Sequence, residues 1–280
     1  MKTRILLASD THWCHLEWYG EANRARLDKF ADDIEAEVKK APVDALLFLG
    51  DYSLDHWQWG IKGCYLNEGI SHAKDFADTY LPRFAKSIPA IRFIAGNHEQ
   101  YGSEKWQALT GFKRQDSLVV GELLCILLDN FAGELDPDYH HDGVYTPSDA
   151  AYIRACMDAH PDKKVILCAH HFAPERESAE FRALVREDAR ILALFGGHVH
   201  LSRVVALGEE WGNKVLAYTG NYSYSGEKPD PLACPWGFRE VEFDGETLTS
   251  RYLVPANRYV IDGAVRETAY AAIDEFAVTC

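Results

Sequence analysis

The sequence predicts a layered α/β domain, and three patterns predict it. Apolar runs of strand length recur along the chain, stretches of helical periodicity separate the first of them, and after residue 197 the pattern changes to two hairpins.

The runs are RILLAS (4–9), DALLFLG (44–50), AIRFIAG (90–96), LLCILLD (123–129), KVILCAH (164–170) and ARILALFGG (189–197). Between the first three, residues 21–40 and 68–87 read as amphipathic helices, with Leu27, Phe30, Ile34 and Val38 at helical spacing. SRVVALGEEWGNKVLAYTG (202–220) and WGFREVEFDGETLTSRYLV (236–254) read as hairpins, the second turning at DGET, so an antiparallel sheet is expected there. The tail GAVRETAYAAIDEFA (263–277) is expected to be a short closing helix. Two segments fit no regular element, 53–69 with Trp57, Trp59 and Tyr65, and 131–149; long loops of this kind often form lids or binding loops.

With 280 residues, 47% of them apolar, the chain can bury one large core, and no low-complexity linker or fixed-period repeat divides it. A single domain over 1–280 is expected, with the hairpins of about 200–255 joining its second sheet. The 29 basic and 43 acidic residues give a net charge of −14, which repels a nucleic-acid backbone, and VKK, KRQ and DKK are too short and scattered to form a basic patch. No nucleic-acid polymer is therefore expected as a partner. The apolar run of MKTRILLASD is too short for a secretory leader, and no segment approaches the roughly 18 uncharged apolar residues of a membrane helix. A cytoplasmic protein without membrane contact is expected, in an oligomeric state the sequence leaves open. Seven scattered cysteines without a C-x-x-C pair form neither a disulfide framework nor a zinc ribbon; Cys125 and Cys168 read as small core residues, and Cys14 as a packing residue near the histidines.

The strand ends carry the chemistry. LLASDTH ends in Asp10 and His12, LLFLGDYS in Gly50-Asp51, RFIAGNHEQ in Gly96-Asn97-His98-Glu99, VILCAHH in His170-His171 and ALFGGHVH in Gly197-His198-Val199-His200. Alone, each is ordinary turn chemistry or an exposed strand end. Together they stand at five carboxyl ends, where open α/β sheets place ligands. Imidazoles, carboxylates and one amide suit borderline divalent metals, and the carboxylates are too few for a calcium cage. In D-x-H and H-x-H, strand alternation would point residues i and i+2 to one side, and a glycine before Asp51, Asn97 and His198 would permit sharp turns or close approach.

The ordered set D-x-H, G-D, G-N-H-E, H, G-H-x-H over residues 10–200 resembles the calcineurin-like metallophosphoesterase superfamily. The resemblance implies a four-layer αββα sandwich with two mixed β-sheets. It implies one metal on Asp10, His12 and His200, a second on Asn97, His170 and His198, and Asp51 bridging both. The cofactors implied are two divalent ions, Mn, Fe, Zn or Ni. They would stand roughly 3.5–4 Å apart, share a hydroxide that attacks phosphorus in line, and cancel charge on the phosphoryl oxygens. His98 is implied beside the site without ligating metal, as donor to the leaving group, with Glu99 orienting its imidazole; Asp55 is the competing candidate.

Departures from the family pattern narrow the substrate. GDYSLDHW has Leu54 where the protein serine/threonine phosphatases carry an aspartate, and lacks their arginine; Leu54 also replaces the metal-binding tyrosine of purple acid phosphatases, and Tyr52 is misplaced for that role. A small phosphomonoester or phosphodiester remains. Trp57, Trp59 and Tyr65 would either wall a planar group or pack their loop onto the body, and His15, His56, His140, His141 and His171 would either extend the site or serve as surface or structural histidines. The alternative function is a catalytically weak or inactive scaffold or binding protein on the same fold. A hydrolase built on a single metal is a further reading.

Overall fold

The computed structural model describes residues 2–15, 17–18, 21–56, 71–133, 135, 143–223, 236–255, 258–261, 264–267 and 274–280. Trp57, Trp59, Tyr65, His140 and His141 lie outside them, and with them the choice between an aromatic wall and a packed loop.

Two six-stranded mixed sheets carry the fold. The first is built on β1 (Thr3–Ala8), β4 (Ala45–Leu49) and β5 (Ala90–Ile94), all parallel, and is extended antiparallel from β1 by β12 (Phe238–Phe243), β13 (Thr247–Leu253) and β16 (Glu275–Thr279). The second is built on β7 (Leu123–Leu128), β8 (Lys164–Ala169), β9 (Ile191–Gly196) and β11 (Val215–Thr219), parallel to one another, with β6 (Asp116–Val120) and β10 (Ser202–Ala206) antiparallel at its edges. Short pairs β2 (Glu17–Trp18) with β3 (Glu21–Ala22), and β14 (Arg258–Ile261) with β15 (Ala264–Glu267), stand apart from both.

Strand alternation creates the layers. In β1 and β4, Leu6, Ala8, Leu46 and Phe48 face α1 (Asn23–Lys40), α2 (His72–Phe84) and α3 (Ser103–Thr110), while Ile5, Leu7, Leu47 and Leu49 face the second sheet. On the far side, Leu124, Ile126, Leu128, Val165 and Leu167 meet α4 (Ala150–Ala159), α5 (Ala179–Glu187) and the 3-10 turn Glu209–Trp211. Three apolar cores thus separate four layers, the αββα sandwich. Cys125 and Cys168 lie in the middle core as expected, and burial pushes the Cys125 thiol up to about 12.

Several elements differ from the sequence reading. The two hairpins divide between the sheets, β10–β11 joining the second and β12–β13 the first, because β11 pairs with β9 and β12 with β1. At the ends of the expected closing helix there is strand instead: 264–267 form β15 and 275–279 form β16, whose backbone pairs with β13, while 268–273 lie outside the described residues. Edge strand β6 escapes a pattern search because its three apolar residues, Leu118, Val119 and Val120, are separated from the run of β7 by Gly121 and Glu122 alone and merge with it.

One buried ion cluster ties β1 to its neighbours. Arg4 Nε lies 2.5 Å from Glu240 Oε1, Arg251 Nε lies 2.5 Å from Glu240 Oε2, and Arg4 also reaches Glu37 at 3.3 Å. Burial works to raise the Glu240 carboxyl, but Arg4 and then Arg251 hold it below the ordinary range. A depressed carboxyl contributes stability that is present above its unfolded pKa of 4.5 and is lost as pH falls through the folded value. Glu240→Gln, which leaves Arg4 with Glu37 as its remaining carboxylate in this cluster, is expected to cost about 1–3 kcal/mol at pH 7. The gap in melting temperature from wild type should narrow below pH 4.5; a gap constant with pH would refute the ionic origin.

Candidate metal centre

The carboxyl ends of β1, β4 and β5 meet those of β8 and β9 at one end of the sandwich. There the seven residues proposed from the sequence as ligands converge, together with His98. Asp10 Oδ1 lies 3.3 Å from His200 Nε2 and 3.8 Å from His12 Nε2. Asp51 Oδ2 lies 3.5 Å from His12 Nε2, 3.5 Å from His98 Nε2 and 3.1 Å from His170 Nε2. Asn97 Oδ1 stands 2.9 Å from both His170 Nε2 and His198 Nδ1. Ligand atoms thus form three overlapping groups, Asp10–His12–His200, His12–Asp51–His98 and Asp51–His170–His198.

The backbone reason differs from strand alternation. Both the D-x-H and the H-x-H pair lie beyond the ends of β1 and β9, and Asp10, His12, Asp51, His198 and His200 have φ of 55°, 47°, 53°, 69° and 54°. Such left-handed conformations are uncommon for residues with a Cβ and concentrate where surrounding structure over-determines them. Here the loops bond to one another: Asp10 N donates to Gly50 O, His12 N to Asp51 O and Trp13 N to Tyr52 O. Close approach does require glycine. A Cβ on Gly96 would lie 2.0 Å from Asp51 Oδ1, and one on Gly197 would lie 2.6 Å from Ser9 Oγ.

Asp10, His12 and His170 are fully buried, whereas the His200 side chain is 17% exposed and marks the open side. Burial pushes His12 down to about 3, and burial followed by the His170 charge pushes His198 to about 3. Both are neutral imidazoles at pH 7, the form that ligates metal. Burial also works to lower His170, yet Asp51 beside it raises the imidazole to about 9; His170 and His98 in turn hold Asp51 well below the usual carboxylate range. Two buried carboxylates, four imidazoles and an amide oxygen facing one space form a donor set that fits borderline divalent cations.

A second ring of hydrogen bonds aims these ligands. His170 Nδ1 lies 2.7 Å from Leu49 O and His12 Nδ1 lies 3.1 Å from Ser223 Oγ, which leaves each Nε2 for the centre. Ser223 belongs to a segment the sequence reading missed, TGNYS (219–223) after β11: Thr219 bonds Ser9, Asn221 Nδ2 donates to His200 O, and Tyr222 N donates to Asp10 O. The signal was available. Like Gly96-Asn97, Gly220-Asn221 follows a strand at its carboxyl end. Also missed were Arg26, which donates to Thr11 O at 2.9 Å, and Arg114, which clamps Glu99 O and Tyr101 O at 2.8 Å.

Both carboxylates named beside His98 from the sequence have backbone partners in the structure. Glu99 accepts from Asp51 N (2.9 Å), Gly96 N (2.8 Å), Ser53 N (2.8 Å) and Ser53 Oγ (2.9 Å), so it fastens the loops of β4 and β5 together. Burial and the Asp51 charge push its carboxyl up to about 8, against four hydrogen bonds that favour the ionised form. Asp55 accepts from His72 N (2.8 Å), Ala73 N (3.0 Å), Ser71 Oγ (3.0 Å) and Tyr101 Oη (2.6 Å), which commits it to the start of α2. Leu54 and Tyr52 are both buried, and the Tyr52 ring packs among Phe48, Phe76, Phe93 and Trp106 in the first core. Among the remaining histidines, the His171 ring lies 4.4 Å from that of His198 at a tilt of 45°, His56 accepts from Gln100 N at 3.0 Å, and His15 faces His72.

Fold and site together define a metal-ligating α/β phosphoesterase class. The chain belongs to the calcineurin-like phosphoesterase family, whose model matches residues 3–202. In structure it is similar to a purple acid phosphatase isolated from yellow lupin (Lupinus luteus) seeds, at 14% identity and a TM-score of 0.59. That match covers 100% of this chain but 54% of the lupin one, so the chain spans about half the length of that protein. It is also similar to GAP50, named as the anchor in the inner membrane complex of Plasmodium, at 13% identity and a TM-score of 0.52 over 95% of this chain and 88% of that one. At these identities the likeness concerns the fold. No curated protein matches the chain in sequence. Among the described residues no helix is long and apolar enough to cross a membrane.

Proposed function

We propose that this protein is a binuclear metal-dependent phosphoesterase that hydrolyses a small phosphorylated substrate. The observation that carries the reading is the position of Asp51, whose Oδ2 lies within 3.5 Å of ring nitrogens of His12, His98 and His170 and so joins the two outer ligand groups. Asp10, His12 and His200 would hold one divalent ion, Asn97, His170 and His198 the other, with Asp51 shared. Two such ions, when bound, supply Lewis acidity toward a phosphoryl group and lower the pKa of water. The chain's own part is to present His12 and His198 as neutral imidazoles, to aim the whole ligand set, and to hold His98 Nε2 beside Asp51. There His98 donates a proton to the departing oxygen. Retention of the complete ligand set together with His98 supports turnover over an inactive scaffold.

Initial rates on bis(p-nitrophenyl) phosphate and p-nitrophenyl phosphate, after chelation and after adding back manganese, test the reading. Manganese-restored cleavage supports it, and diester preference would direct the search to phosphodiesters. Metal bound without cleavage of either ester would favour the scaffold. For the role of His98, His98→Ala should retain wild-type metal content while kcat falls by ~10²–10⁴-fold. A metal-free His98→Ala protein would instead make His98 a ligand.

A further inference from the structure

Outside the metal centre, a second histidine cluster joins the loop after β1 to the start of α2. His72, the first residue of α2, is 3% exposed, and its Nδ1 lies 2.9 Å from Oδ1 of the fully buried Asp55. Asp55 is held below the usual carboxylate range: burial works to raise it, and hydrogen bonds, from His72 first and then from Tyr101 and Ala73, work to lower it. An ionised carboxylate only accepts, so the proton of His72 sits on Nδ1 and the lone pair is on Nε2. That Nε2 faces His15 Nδ1 at 3.3 Å, with the two rings 5.4 Å apart and 13° from parallel.

Two imidazole nitrogens bound at about 2.0–2.1 Å in a tetrahedral shell stand roughly 3.4 Å apart. The observed separation matches that value. A carboxylate behind the distal nitrogen of a histidine is also the arrangement that fixes tautomer and raises basicity at zinc ligands. His15 is exposed, so the remaining coordination positions open to water. The neighbouring cation, Arg24, is paired to Asp75 at 2.5 Å, and Asp75 also accepts from Trp13 Nε1 at 2.8 Å.

We propose that His15 and His72, backed by Asp55, form a separate site for a borderline divalent cation such as zinc. The ion cross-links the segment carrying Asp10 and His12 to α2, and is independent of the phosphoesterase centre. A His15–His72 hydrogen bond without metal is the competing explanation of the same distance.

The His15→Gln variant separates the two, since a glutamine amide still donates a hydrogen bond but is a poor zinc ligand. Wild type and variant, chelated and then dialysed against the same excess of zinc, are compared by elemental analysis and thermal unfolding. The expected result is one zinc fewer per chain in the variant, with part of the zinc-induced rise in melting temperature lost. Asp55→Asn, which keeps size and removes the charge behind His72, is expected to weaken the same zinc by about 10–100-fold. Equal zinc content in wild type and His15→Gln overturns the proposal. Because the readout is a difference between proteins with the same main centre, it stands even if that centre takes up no metal or shows no turnover.

Discussion

Asp51→Ala is expected to abolish binuclear metal loading and to lower kcat/KM by at least ~10³-fold, the several kcal/mol that two cations supply to a phosphoryl transition state. The carboxylate is 1% exposed and stands among three histidine rings. Its loss removes the shared ligand and leaves imidazoles crowded without a counter-charge. Its other oxygen accepts from His98 N at 3.0 Å, so the loop carrying Asn97 and His98 loosens as well. Elemental analysis should therefore find both ions depleted. Clean loss of one ion, with the second at wild-type occupancy, would replace the bridge by a single-metal site.

Gly96→Ala is expected to be nearly as damaging without replacing a ligand. The added Cβ would fall 2.0 Å from Asp51 Oδ1 and 2.5 Å from Asp51 N, a backbone atom that cannot retreat because its proton is committed to Glu99. Overpacking of this severity belongs to the upper tail of single substitutions, ~3 kcal/mol or more, and the displaced Asp51 should take the metals with it. Gly102→Ala is the matched control, since a Cβ there meets nothing within 4 Å and its φ of −60° suits any residue. That variant should melt close to wild type, because the lower chain entropy of alanine is offset by the preference for glycine over alanine at the N-cap of α3. A Gly96→Ala protein with unchanged melting temperature and metal content would show that the loops of β4 and β5 yield more easily than their hydrogen bonds imply.

Much of this was legible in the chain. Apolar runs and helical spacing set out β1, β4, β5, β7, β8, β9, α1 and α2, because continuous burial leaves a compositional trace. The edge strands β6 and β16 were not told apart, β6 because its apolar residues run into those of β7, and β16 because five residues paired with β13 alone are too short a pattern to separate from a helix. Strand-end position located Asp10, His12, Asp51, Asn97, His98, His170, His198 and His200. The same rule, applied one strand further, would have reached Asn221 and Ser223.

Ligand-type side chains at consecutive strand ends were the sequence's own contribution, because the chemistry of a metal site is a property of residue types in order. Only the tertiary structure decided how they meet. Left-handed turns at five of these residues, rather than strand alternation, bring the pairs together, and such turns depend on hydrogen bonds between loops some 40 residues apart, as from His12 N to Asp51 O. The hydrogen-bond partners of Glu99 and Asp55 were visible only there too. A buried carboxylate at a strand end reads the same in sequence whether it faces a substrate or accepts backbone N–H groups, and only the positions of its donors distinguish the two.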